Sequence, residues 1–179
     1  MTYYGAKELA EAFRTVRKNT IQVAEDIPED KYGFLPADEV RSVEKLLTHI
    51  ALSPTWQLKL HSGKATTLEG FDFPGLFQAI MAEEAKPRAK AEVIEFLRSE
   101  GDRWANFVAE LSEDFLGQTV TMPQGGNPPQ RTRFDMIMSV KEHEMHHRGQ
   151  LMLIERMLGI TPHLTRQMQE RMAQAQQNK

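Results

Sequence analysis

Apolar residues recur at alternating spacings of four and three along Leu9, Phe13, Val16, Val23 and Ile27, with Thr20 filling the gap, so the segment from Lys7 to Ile27 is predicted to be an amphipathic helix. Pro28 ends it, and the stretch from Pro28 to Pro36 is a connection rich in turn residues. A second helix is predicted to begin after Ser42, whose hydroxyl suits an N-cap, with Glu44 on the favourable side of the helix dipole. Its apolar positions are Val43, Leu46, Leu47 and Ile50. Ser53-Pro54 then kinks or ends it, and the pattern resumes from Trp56 to Leu60.

Residues 61–85 carry Gly63, Gly70, Pro74 and Gly75 among Phe71, Phe73 and Phe77 and read as a long crossover, with a short helix expected near Leu76 to Ala85. Ile94, Leu97, Gly101, Trp104, Val108 and Leu111 mark a third long helix. Gly101 lies on its buried stripe, where it either lets another helix approach or leaves room beside Trp104 for a ligand. Thr119 to Met122 and Gln130 to Arg133 read as two short extended pieces around a Pro/Gly-rich turn, compatible with a small hairpin. A fourth helix runs from Phe134 to Leu158, closed by Gly159, and Thr161-Pro162 starts a final one. There Leu164, Met168 and Met172 recur at helical spacing, expected to cap the bundle or join a partner. The pattern as a whole predicts an all-α protein, a four-helix bundle with an additional C-terminal helix, forming one domain over residues 1–179.

Composition narrows the chemistry. The 22 Lys and Arg against 25 Asp and Glu leave a formal charge of −3 with no block of like charge, which argues against electrostatically driven nucleic-acid binding. No stretch approaches the roughly 20 apolar residues that span a bilayer, and the N-terminus lacks the basic-then-apolar order of a signal peptide, so a cytoplasmic protein without membrane attachment is expected. The chain contains no cysteine, which removes disulfides, a thiolate nucleophile and cysteine zinc ligands. Any metal would have to be held by histidines and carboxylates.

The informative stretch is Glu142-His143-Glu144-Met145-His146-His147-Arg148-Gly149-Gln150, which holds three of the six histidines. At 100° per residue Val140, His143, His147, Leu151, Ile154 and Leu158 fall on one stripe, so two imidazoles occupy core-facing positions. Residues four apart on a helix are about 6 Å apart and face the same way, so both rings can reach one ion. Each neutral ring brings a donor and an acceptor that must be paired when buried, which makes two adjacent core histidines hard to explain by packing alone. A catalytic zinc ordinarily takes three protein ligands. His49, beside the apolar stripe of the second helix, is the best third candidate, whereas His61 and His163 lie near helix ends and read as surface residues. His146 points 60 to 80° away from the pair, and is expected beside the ligands or merely packed.

His49, followed much later by His143-x-x-x-His147-Arg148-Gly149-Gln150-Leu151, resembles the DinB superfamily, also called DinB/YfiT-like metalloenzymes. The agreement extends over nearly the whole chain, although only the His-His-Arg-Gly-Gln string is specific. The resemblance implies an up-down-down-up four-helix bundle, a divalent metal ion held by three histidines, here His49, His143 and His147, and frequent homodimers. Zinc and nickel are the expected ions. The family includes thiol-dependent S-transferases and mycothiol-dependent maleylpyruvate isomerases, together with many members of no established reaction, and its name does not imply DNA binding.

The leading reading is therefore a metal-dependent enzyme of small-molecule chemistry, of hydrolase or thiol S-transferase type. Three neutral imidazoles leave the charge of the ion largely uncompensated. Without cysteine in the chain, any reacting thiol must be an external low-molecular-weight one. Glu144, His146, Trp56 and Trp104 are candidates for the surroundings of the ion and the substrate side. A different class is a non-enzymatic, metal-stabilised dimeric stress-response module, in which a fourth protein ligand such as Glu144 would close the coordination. A third is a metal-free bundle that binds an apolar ligand. His143-Glu144-Met145-His146-His147 also satisfies the His-Glu-x-x-His pattern of zinc peptidases, with Glu144 as general base, but the extended form of that motif fails because glycine falls at Gly149 and no histidine stands at 153. The only downstream glutamates are Glu155 and Glu170.

Overall fold

Four long helical segments follow the predicted apolar stripes. The computed structural model describes residues 4–177. The first helix, α1 (Ala6–Asp26), is followed by a single 3-10 turn and then by α2 (Val43–Leu52), whose N-terminus is capped by the Ser42 hydroxyl accepting from the Lys45 N–H. Ser53 and Pro54 keep helical dihedrals, so α3 (Thr55–Ser62) continues α2 across the break that proline imposes. The crossover holds α4 (Phe73–Ala85), longer than the expected short helix and capped by Asp72. Next come α5 (Lys90–Ala109) and a one-turn α6 (Glu113–Gly117) that the periodicity does not reveal. Strands β1 (Thr119–Thr121) and β2 (Gln130–Thr132) pair antiparallel as the anticipated hairpin, with Val120 opposite Arg131. Then follow α7 (Arg133–Met157), capped by Thr132, and α8 (His163–Gln177).

The bundle consists of α1, α2 with α3, α5 and α7. Near its start α1 packs with Trp104, Ala105 and Val108 of α5 and with Ile137 and Val140 of α7, and near its end with Val93, Leu151 and Ile154. Thus α5 runs against α1 and α7 runs with it. Across α2 and α3, Leu46 shares a wall with Ile154 whereas Trp56 shares one with Val140, so α2 opposes α7. The order is up, down, down, up. The hairpin and the crossover form a third apolar cluster at the side, from Leu60, Leu68, Val120 and Met136. Among the described residues no helix is long and apolar enough to cross a membrane.

Three expectations are decided here. Trp104 is a core residue of α5, 1% exposed and packed against α1, and lines neither of the cavities beside the histidines. Gly101 makes room for a side chain, not a ligand: a Cβ there would lie 2.9 Å from Arg17 Cγ. Only the beginning of α8 docks, through His163 against Asn19 and Arg166 against Asp26, while Met168 and Met172 are exposed and do not cap the bundle.

Between the two apolar clusters of the bundle lies a buried ion pair. Arg17 Nε is 2.9 Å and 3.1 Å from the two Glu144 oxygens, and Nη2 is 3.0 Å from Oε2. The remaining donors reach Leu97 O at 2.6 Å and Ile50 O at 3.2 Å, so one guanidinium ties all four bundle helices. Removing one member strands a buried charge, so Arg17→Met is expected to cost about 3–5 kcal/mol in urea unfolding, and Arg17→Met/Glu144→Leu to recover most of it. A cost below about 1 kcal/mol for the single variant would show that the pair does not organise the bundle.

Candidate metal centre

The i, i+4 spacing on α7 and the antiparallel approach of α2 bring three imidazoles together. His143 Nε2 is 3.1 Å from His147 Nε2 and 3.4 Å from His49 Nε2. One ligand atom from each of the three lies within 4.8 Å of the others. His49, His143 and His147 are thus the residues that the structure gathers, as the sequence indicated. All three are half-buried.

The far sides of two rings fix their tautomers. His49 Nδ1 is 3.1 Å from Glu84 Oε2, and His147 Nδ1 is 2.8 Å from Gln150 Oε1. A carboxylate and a carbonyl oxygen accept only, so both Nδ1 atoms carry the proton and both Nε2 atoms present lone pairs to the centre. His143 Nε2 can donate to one of them and not to both. If it does donate, its buried Nδ1 becomes an acceptor without a donor, and among the described residues that atom has no partner.

A cation would take all three Nε2 lone pairs at once, with the His143 proton then on Nδ1, which lacks a partner among the described residues in either state. Two nitrogens each 2.0–2.1 Å from a tetrahedral ion stand about 3.3–3.4 Å apart, close to the two separations from His143 Nε2. The residues present therefore fit a divalent ion. Outer partners of this kind hold ring orientation and raise ligand basicity in metal sites.

Electrostatics keep the rings neutral. Burial, followed by the neighbouring histidines and Arg41, pulls His143 down to about 4. Burial is also the main cause that lowers His49 and His147, opposed by Glu84 at the first and Gln150 at the second.

Glu84 and Arg41 escape a reading of the sequence. Glu84 comes from the crossover helix α4 and binds His49 with one oxygen and Arg41 with the other, at 2.5 Å. Its only prior signal is that a ligating imidazole needs an acceptor, and periodicity does not say where α4 docks. Two cavities meet here. One, of about 520 Å³, is bounded by His49 and His143 with Leu52, Trp56, Phe77 and Met81; the other, of about 670 Å³, is bounded by His147 and Gln150 with Leu153 and Met157. Arg41 and Glu84 line both. Trp56 is thus a wall residue of the smaller cavity.

Other expectations are corrected. Glu144 lines neither cavity; it is fully buried and occupied by Arg17, which removes it as general base, fourth ligand or pocket residue and with it the peptidase reading. His146 is exposed, and its Nε2 lies 3.4 Å from the amide nitrogen of Gln150, whose Oε1 faces His147 Nδ1. Glu155 is a buried acid whose two oxygens have no partner among the described residues; burial first and Asp26 second raise it to about 7. His61 and His163 are buried, at 1% and 3% exposure, because the hairpin end of α7 covers the first and α1 the second.

A bundle with this centre defines a helical protein suited to holding a divalent ion. The sequence model of the DinB superfamily matches residues 12–151, and the chain belongs to that superfamily. It is 25% identical over 158 residues to YjoA of Bacillus subtilis (strain 168), covering 87% of this chain and 92% of that one. The crystal structure of YjoA superposes with a TM-score of 0.64 at 21% identity, covering 86% of this chain and 94% of that chain. YfiT of Bacillus subtilis, described as a probable metal-dependent hydrolase with an unusual four-helix bundle topology, superposes with a TM-score of 0.66 at 12% identity, covering 90% of this chain and 91% of that chain. A conserved protein of Enterococcus faecalis gives 0.62 at 15% identity over 83% of this chain and 93% of its own.

Two outcomes follow from the geometry. Because protons compete for the same lone pairs, metal affinity measured by titration should be flat above pH 6.5 and fall at least about tenfold between pH 6.5 and 5; an affinity constant down to pH 4 would contradict imidazole ligation. Glu84→Gln should bind zinc about 10–100-fold more weakly than the parent, and equal affinity would show that the His49–Glu84 contact does not support the site.

Proposed function

We propose that the protein is a metal-dependent enzyme acting on a small molecule through His49, His143 and His147, with zinc or nickel as the ion. The observation that carries this reading is the convergence of three imidazole nitrogens, two of them on rings whose protons are held at Nδ1 by Glu84 and Gln150. The description of YfiT as a probable metal-dependent hydrolase supports it. A divalent ion here would supply Lewis acidity, polarising a water, a thiol or a carbonyl.

The chain supplies the rest. Glu84 and Gln150 hold protons at Nδ1 of His49 and His147 and keep their Nε2 atoms free. Leu52, Trp56, Phe77 and Met81 give the smaller cavity apolar walls that can seat an apolar group. Arg41, at the junction of the two cavities, offers a cation to an anionic group on either side. Glu144 is already bound by Arg17, so it cannot close the coordination; this favours an enzyme over a metal-stabilised structural module.

Two cavities meeting at one centre favour thiol transfer over hydrolysis, since a second organic reactant needs a seat of its own and water does not. In such a transfer the thiol sulfur forms a bond to carbon, the leaving group departs with its electron pair, and the thiol proton passes to solvent.

Elemental mass spectrometry of untagged protein should find about one equivalent of zinc or nickel in the parent and little in His49→Ala, His143→Ala or His147→Ala. Full retention by His49→Ala would take α2 out of the site. Absence of metal from the parent after reconstitution would overturn the reading. With metal present, product formation that requires added thiol selects transfer, and formation without it selects hydrolysis.

A further inference from the structure

We propose that the floor of the smaller cavity is a subsite for an uncharged hydrogen-bond acceptor, such as a ketone, ester or amide carbonyl, on an otherwise apolar substrate, and that the Gln57 side-chain amide is its donor. The proposal rests on the reading of that cavity as the substrate chamber, and it follows from a chain of buried polar groups outside the histidine centre.

Arg133 at the start of α7 is fully buried, and among the described residues it makes no ion pair with a carboxylate. Its guanidinium is satisfied by neutral acceptors: Gln118 Oε1 at 3.1 Å, Ala65 O at 2.8 Å and His61 Nδ1 at 3.1 Å. Arginine only donates, so His61 Nδ1 must accept and the ring carries its proton on Nε2. That Nε2 lies 2.9 Å from Gln57 Oε1, which therefore accepts. The orientation of the Gln57 amide is thus dictated two hydrogen bonds away, and its NH₂ group faces the other side.

Gln57 lines the smaller cavity, is 0% exposed, and its Nε2 has no partner among the described residues. A buried amide donor left unpaired costs free energy that a ligand acceptor would recover. Its place agrees with a substrate bound end to end. His49, Leu52, Ser53, Trp56 and Gln57 fall on one face of α2 and α3, and eight residues at 1.5 Å rise put Gln57 about 12 Å along from His49. The reacting group would lie at the histidines, the apolar body against Trp56, and the acceptor at Gln57. An uncharged acceptor suits this floor because the Arg133 charge polarises the chain from behind two neutral groups and is not itself available for an ion pair.

The test uses 4-phenyl-2-butanone and butylbenzene, which differ by a carbonyl in place of a methylene, with binding followed by tryptophan fluorescence on metal-loaded and metal-stripped protein. In Gln57→Met, and in Gln57→Glu, which replaces the amide donor by an acceptor, the ketone should lose about tenfold in affinity while butylbenzene changes little. Equal changes for both probes, or no binding of either to the parent, would overturn the subsite. Long-range ¹H–¹⁵N spectra of the unaltered protein should place the His61 proton on Nε2, and a proton on Nδ1 alone would overturn the orientation on which the subsite depends. Selective loss of the ketone in a protein that takes up no metal would leave the subsite standing while the metal-enzyme reading falls.

Discussion

The Arg17–Glu144 pair sits at the level of the bundle where the centre is built, and the positions of two candidate ligands are set through it. Glu144 immediately follows His143 on α7, and Ile50, whose carbonyl accepts from Arg17, immediately follows His49 on α2. One rigid guanidinium on α1 therefore fixes the mutual height of the two helices that carry the imidazoles. The Leu97 carbonyl brings α5 into the same arrangement, and the missing side chain at Gly101 is what lets Arg17 reach so far. Apolar packing above and below supplies most of the stabilisation, but such packing tolerates sliding along the helix axis. A five-donor fork with paired acceptors does not.

Much of the centre was legible because it depends on helical periodicity. The i, i+4 pair on α7 is a property of one helix, and His49 stood out as the best remaining imidazole near an apolar face. What was not legible depends on docking between elements. The pattern His-Glu-x-x-His is the clearest case: its letters are satisfied, yet Glu144 lies about 100° round the helix from His143, on the face that meets α1, where an arginine holds it. Glu84 could not be placed until α4 was laid across α2. His61 and His163 looked exposed because they lie near helix ends, where a single helix is frayed and wet; in the molecule Arg133 and α1 cover them.

Polar side chains in this protein take their orientation from a neighbour whose role admits no choice. At the histidine cluster, Glu84 can only accept, so the His49 proton is held away from the cavity. At the other end of the same cavity, Arg133 can only donate, so the His61 proton is pushed toward Gln57, whose amide then turns its donors outward. The two ends consequently have opposite character: lone pairs converge near His49, and hydrogens are presented near Gln57.

This opposition has a physical basis in charge. The acceptor-rich end attracts a cation, and the donor-rich end, with a guanidinium behind it, attracts the partial negative charge of an oxygen. Between the ends the lining is largely apolar, from Leu52, Trp56, Phe77 and Met81, and offers neither end a compensating polar group. A molecule filling the cavity would be oriented before any bond changes, because reversing it would set an acceptor against lone pairs and leave the Gln57 amide unpaired. Specificity of this kind comes from the penalty for the wrong orientation as much as from attraction in the right one. It needs only fixed polar groups at two ends of an apolar chamber, held in place by a buried pair on the helices that bear them.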